Sequence, residues 1–265
     1  MTLERTQAPV ILAEQPRIKA KEGEALSLEL ARDFVGFLEQ LTPDEWAAVT
    51  PCDPWTVKDV AAHLLGWADA LCSPRAMASQ GRAALRRRKR FGSILDAQND
   101  AQVEAARAQS PDEVLERLRV MLPRAAKLRR RLGASLHYVP AYAGFLGGPF
   151  NVGYLMNSIF PRDLVVHTLD VAEATGREAP MGAAAGRVAA DMLRDWARRT
   201  KADATIELIG PAGGTYVAGD GRRATIAAPT GAVVQRLGGR EPAALITLGG
   251  DAATAERWLE AGCPV

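Results

Sequence analysis

Histidine, cysteine and net charge are all scarce in this 265-residue sequence. Its three cysteines, Cys52, Cys72 and Cys263, are odd in number and form no C-x-x-C pair. That excludes a disulfide framework and a cysteine zinc site, and leaves free thiols. A net charge of +2 is far from the strongly basic balance of a nucleic-acid binder, so no nucleic-acid partner is expected. Long hydrophobic runs are missing too: none approaches the roughly 18 residues that cross a bilayer, so no membrane role is expected. The N-terminus lacks the basic start, apolar stretch and cleavage site of a signal peptide, which makes the cytoplasm the expected location.

Hydrophobic residues make up 48% and charged residues 24%, the balance of a soluble globular protein. The length suggests two modest domains. Residues 1–23, with Pro9 and Pro16, read as an extended N-terminal arm. From Leu26 to Leu41 apolar residues recur at three and four, the period of an amphipathic helix, and Pro43 ends it. Thr56 can cap a helix carrying Val57, Val60, Leu64, Leu65 and Leu71. A third helical region spans about Ser93 to Ala108. Ser110, Pro111 and Glu113 form a capping-box signature for a helix reaching about Leu132. Gly133 to Gly153 reads as a loop, the next helix stops at Gly176, and another runs from about Gly182 to Arg199.

After Thr200 the texture changes. Short β-type segments at 205–209, 215–218, 224–228 and 244–248 alternate with Gly-rich turns, and 230–237 and 251–259 read as helices. The expected fold class is therefore α plus α+β: a helical bundle over 24–181 followed by a small α+β domain over 182–265.

One stretch carries chemistry. In PRDLVVHTLDVAEATG, Asp163 and His167 stand four apart on a helix face that also holds Phe160, Leu164, Val171 and Ala174, so both polar groups should point inward. Buried polar groups need partners. His63, in DVAAHLLGW, lies at the edge of another apolar face. Two inward histidines and a carboxylate from different bundle helices would make a three-ligand site with open positions, as in catalytic zinc and non-haem iron proteins. Spacing alone equally allows a buried Asp163–His167 pair, or Asp163 paired with Arg162.

Other candidates are weaker. RAALRRRKR (Arg82 to Arg90) reads as a solvated basic face, since no aromatics interleave it. No base adjoins Cys52 in sequence, so it reads as a structural thiol. His137, Tyr138 and Tyr142 read as loop packing, and Trp46, Trp55 and Trp67 as packing residues.

Together, WTVKDVAAHLLGW and PRDLVVHTLDVAEATG resemble the mycothiol-dependent maleylpyruvate isomerase family, within the wider DinB-like group of metal-binding four-helix bundles. TPCDPWTVKDVAAHL is similar to that family's Pro-rich, Trp-containing turn leading into a helix with one histidine. The C-terminal segment, with GDG, RLGGR and LITLGGDAATAERWL, resembles the small sterol-carrier-like domain often attached to the bundle. The resemblance covers about residues 25 to 265. It implies His63, Asp163 and His167 as metal ligands, and matches Arg240 to a C-terminal-domain arginine that faces the isomerases' active site, or else anchors a turn. One departure stands out: the family's acid is commonly glutamate, and Asp163 is one methylene shorter, which requires a closer helix or a bridging water.

The function implied is a metal-dependent isomerase or thiol transferase. Its cofactors would be a divalent metal, zinc first and nickel or iron as alternatives, and mycothiol as the thiol. The expected partners are a small-molecule substrate and a low-molecular-weight thiol, with the chain a monomer or homodimer; Arg240 or the Arg86 to Arg90 run would hold carboxylates. Two other readings remain open at this level: a metal-dependent isomerase, lyase or cyclase without thiol, and a non-catalytic ligand-binding or protein-interaction module.

Overall fold

A computed structural model describes residues 8–143, 148–242 and 245–265. The chain divides into two compact units: Lys19–Pro180, and the segment ending at Ile18 together with Met181–Val265. In chain order a two-residue strand, β1 (Val10–Ile11), comes first and belongs to the second unit. The stretch read as an arm over 1–23 thus contributes a strand to one unit and, from Ala20, the first helix of the other.

The helical unit contains α1 (Ala20–Leu38), α2 (Pro43–Trp46), α3 (Val57–Cys72), α4 (Pro74–Arg87), α5 (Ile94–Ala105) and α6 (Pro111–Ser135). A hairpin, β2 (Pro140–Ala143) with β3 (Gly148–Asn151), follows where a loop was expected. Then come the short α7 (Val152–Tyr154), a π-helical turn over Leu155–Ile159, and α8 (Phe160–Thr175). Pro161, which has no N–H to donate, sits in the first turn of α8, where a backbone donor is least needed. At the other end Gly176 takes φ 65, the left-handed stop that glycine adopts without steric cost.

Capping chemistry marks the starts. The hydroxyls of Thr42, Thr56 and Ser110 each accept from the backbone N–H three residues on, while Glu45, Asp59 and Glu113 reach back to the cap N–H. Helices α1, α3, α6 and α8 pack together as the four-helix bundle. Its core includes Phe34, Val57, Val60, Leu65, Leu118 and Val171, all almost fully buried. Each such aliphatic or aromatic side chain contributes about 1.5–3 kcal/mol by leaving water. Helices α4 and α5 pack on α3; α4 was not anticipated, and the basic run forms its solvated end.

The second unit adds α9 (Ala183–Thr200), β4 (Ala204–Ile209), β5 (Gly214–Ala218), β6 (Ala224–Pro229), α10 (Thr230–Leu237), β7 (Thr247–Gly250) and α11 (Ala252–Glu260). Its sheet has the order β1-β5-β4-β6-β7. The β4–β6 and β1–β5 pairs are parallel, while β4–β5 and β6–β7 are antiparallel. Alternation along β4 buries Ala204, Ile206 and Leu208 and leaves Glu207 and Ile209 exposed, the pattern of a sheet covered on one face. The segment expected to be a strand at 244–248 is described from Leu245, with strand pairing from Thr247; Ala244 lies outside the described residues.

Candidate metal centre

Three side chains from two bundle helices converge. His63 lies in the middle of α3, 2% exposed, and His167 in the middle of α8, 5% exposed. Asp163, one turn before His167, stands between them. Its Oδ1 is 3.4 Å from His167 Nε2 and its Oδ2 is 3.7 Å from His63 Nε2. One ligand atom from each of the three lies within 4.8 Å of the others. The Asp163 side chain is 19% exposed, against 3% for that of His63. The shorter acid therefore reaches both histidines directly.

The charges depend on one another. Burial opposes ionisation of Asp163, but the two histidines outweigh it and hold the carboxyl well below its ordinary range. Burial lowers His63. His167 is pushed the other way: burial disfavours its charge, yet Asp163, Asp170 and Cys52 raise it well above the ordinary histidine value.

Each imidazole is held from behind, and the direction of each hydrogen bond can be followed from a backbone carbonyl. Gly66 O can only accept, so Gln80 donates to it through Nε2 at 2.8 Å. Gln80 Oε1 then accepts from Gln102 Nε2 at 3.1 Å. Gln102 Oε1 is left to accept from His63 Nδ1 at 3.0 Å. The proton of a neutral His63 therefore sits on Nδ1, and the Nε2 electron pair faces Asp163. On the other side, the fully buried Asp170 carboxylate accepts from His167 Nδ1 at 2.9 Å, directing His167 Nε2 toward Asp163. Outer partners of this kind fix tautomer and ring orientation in metal sites.

Packing keeps the relay in place. Gly66 lies so close to Gln102 that a Cβ there would stand 2.5 Å from Gln102 Cβ. Trp55 closes one side, its ring centroid 5.0 Å from that of His63. Cys52, read from sequence as having no base beside it, donates its thiol to Asp170 Oδ2 at 3.2 Å and lies 3.9 Å from His167 Nδ1. It belongs to the shell behind His167.

The donor set fits a divalent ion. Two imidazole Nε2 atoms and a carboxylate oxygen are borderline ligands for zinc or iron. The 3.4 Å separation of Asp163 Oδ1 from His167 Nε2 matches the edge of a tetrahedron with bonds of about 2.1 Å, which is ~3.4 Å, while the 3.7 Å separation from His63 Nε2 runs to the other oxygen, Oδ2.

Other sequence candidates lie elsewhere. Arg240 belongs to the second unit, where its Nη1 donates to Gly238 O at 2.8 Å across the turn after α10. Arg82, Arg86, Arg88, Lys89 and Arg90 are exposed, and Arg87 lies 3.3 Å from Asp100. His137 packs edge-on against Tyr138, which is 88% exposed; the Tyr142 side chain is outside the described residues. Gln80, Gln102 and the outer role of Asp170 were missed. Only Asp170 had a readable signal, its i, i+3 spacing from His167; the glutamines come from helices with no local link to His63.

The family described as Mycothiol maleylpyruvate isomerase N-terminal domain matches residues 27–172, more than half of the chain. The chain belongs to this family. No curated protein matches the sequence significantly. Among solved structures, that of the mycothiol-dependent maleylpyruvate isomerase shares 15% identity with a TM-score of 0.54, and that of a histidine-to-alanine mutant of it shares 14% with the same TM-score. Both alignments cover 90% of this chain and 95% of the other. At this identity the likeness is one of fold: a DinB-like helical domain with a C-terminal domain. No described helix is long and apolar enough to cross a membrane.

Proposed function

We propose that this chain is a metal-dependent enzyme of the maleylpyruvate isomerase type, acting on an electrophilic small molecule with the help of mycothiol or a similar low-molecular-weight thiol. The observation that carries the reading is Asp163 set between two histidine Nε2 atoms at 3.4 and 3.7 Å, with both Nδ1 atoms tied back by Gln102 and Asp170. His63, Asp163 and His167 would hold the ion, zinc first, with nickel or iron as alternatives. A divalent ion at this position supplies Lewis acidity that keeps a bound thiol ionised at neutral pH.

The chain's own residues prepare that site. Gln102 and Asp170 present the two Nε2 electron pairs, and Trp55 walls the His63 side against water. Addition of the thiol to an activated double bond, rotation and elimination would isomerise the substrate and return the thiol; retention of the adduct would be S-transfer. Arg240 is proposed as a substrate-holding residue on the family resemblance alone. Three free cysteines and a reduced thiol cofactor fit the cytoplasm.

The test is metal content by plasma mass spectrometry on untagged protein, beside His63→Ala and His167→Ala. About one ion per chain in the wild type, lost in both variants, is expected. Wild-type protein that stays metal-free after reconstitution refutes the reading and leaves a buried His–Asp–His cluster. Adding or omitting mycothiol in activity assays of the metal-loaded chain separates the thiol-dependent enzyme from a thiol-independent isomerase, lyase or cyclase.

A further inference from the structure

Arg129 is a buried polar group of the helical unit that the metal centre leaves unexplained. It lies on α6 inside the bundle, 8% exposed, and its Nε has no hydrogen-bond partner. Among the described residues no carboxylate comes within ion-pair distance of it. Across from it on α1 is Ser27, 2% exposed, whose hydroxyl is also unpartnered. A serine inside a helix ordinarily bonds back to a carbonyl one turn earlier, so a free buried hydroxyl is a second unmet demand. Both residues line one small cavity of about 20 Å³, together with Asp163, Trp67 and Phe160.

Burying a cation without an anion is among the costlier arrangements in a protein interior. Burial lowers the Arg129 pKa to about 10, with Asp163 opposing the fall, so the guanidinium stays charged at neutral pH. The Phe160 ring, 5.2 Å from Arg129 Cζ, offers a π face but accepts no N–H in its plane. Asp163 is the nearest acid in the cavity, but its two oxygens are turned to His63 and His167. A guanidinium edge with free N–H groups and a hydroxyl beside it match a planar, two-oxygen anion. The cavity holds little more than one water-sized group, so it takes the head of a ligand rather than a whole molecule or a tetrahedral phosphate.

We propose that Arg129, assisted by Ser27, is a carboxylate subsite beside Asp163, which grips one carboxylate of the small-molecule substrate while the rest of that molecule extends toward His63 and His167. The proposal rests on the metal-site reading only in taking both Asp163 oxygens to be engaged by the two histidines.

The probe is maleate, a small dicarboxylate, titrated calorimetrically into the full chain as purified, with inorganic phosphate as the control anion. The variants are R129M, which keeps the volume without the charge, and R129K, which keeps the charge without the fork; metal content is measured on the same samples. Maleate is expected to bind the wild type and raise its Tm, to bind R129K more weakly, and to bind R129M about thirty-fold or more weakly, with phosphate failing to compete. Ligand-free R129M is expected to melt no lower than the wild type, because it loses a buried charge that has no partner. Equal maleate binding in wild type and R129M overturns the subsite, as does an R129M that fails to fold, since an arginine needed for folding is not awaiting an anion. Metal present with Arg129-independent maleate binding sinks the subsite and leaves the metal reading intact. Metal absent with Arg129-dependent binding does the reverse.

Discussion

Gln102→Leu is the sharpest test of how the candidate centre is held. Gln102 is 1% exposed and joins His63 Nδ1 at 3.0 Å to Gln80 Oε1 at 3.1 Å. Leucine fills similar space but neither accepts nor donates, so His63 can flip or change tautomer, and Gln80 Oε1 loses its donor. Removing an outer partner of a ligating histidine typically lowers metal affinity about 10- to 100-fold, or ~1.4–2.8 kcal/mol. A buried acceptor left without a donor costs a further ~1–3 kcal/mol of folding stability. Affinity is read by competition with a chromophoric zinc chelator, and stability by urea unfolding of the metal-free protein. Gly66→Ala provides an independent route, because its Cβ would stand 2.5 and 2.6 Å from Gln102 Cβ and Cγ and displace that side chain. Both variants should weaken zinc binding while retaining one site per chain. Wild-type affinity in both would refute the claim that the Gly66–Gln80–Gln102 relay sets the state of His63.

Two further outcomes are expected away from the centre. Glu45 receives two hydrogen bonds from Arg177, at 2.6 and 2.9 Å, which with the Thr42 backbone lower its pKa from 4.5 to about 2. A depressed carboxylate stabilises the fold fully above its unfolded value and loses that contribution as pH falls through the folded one. Urea midpoints of Glu45→Gln should thus fall below wild type at pH 7 and converge with it between pH 4.5 and about 2; a gap constant over that window contradicts the ion-pair account. Leu118→Ala, at a fully buried position in the bundle, should cost about 2–5 kcal/mol. Val120→Ala, at a position 63% exposed two residues on, should stay within about 0.5 kcal/mol, and equal costs would mean that α6 is not seated as described.

Local signals in the sequence were strong where the responsible interactions are themselves local. The Ser110, Pro111 and Glu113 pattern satisfies helix-end N–H groups within one turn, and α6 starts there. Gly176 stops α8 because its own backbone reaches positive φ. The pairing of Asp163 with His167 follows from the helical repeat alone. By contrast, α4 has a weak apolar pattern, with only Gln80 and Ala84 buried, and it went unseen because packing against α5 and α3 rather than periodicity holds it. The hairpin β2–β3 was hidden by a Gly- and Pro-rich composition that also suits a loop. Strand β1, two residues long, exists only by pairing with β5, some 200 residues later in the chain.

By itself, then, the sequence determined the four bundle helices, the α+β texture after Thr200 and one face of the centre, because capping, helical period and turn chemistry act over a few residues. Tertiary structure decided what surrounds those residues: which nitrogen of His63 carries its proton, the thiol behind His167, and the burial of Arg129 with its Nε unbonded. Those depend on Gly66, Gln80, Gln102, Cys52 and Ser27, brought together from five separate segments by the register at which buried helices interlock. Hydrogen bonds reach only about 3 Å, and no spacing rule along the chain encodes which distant side chains end within that distance.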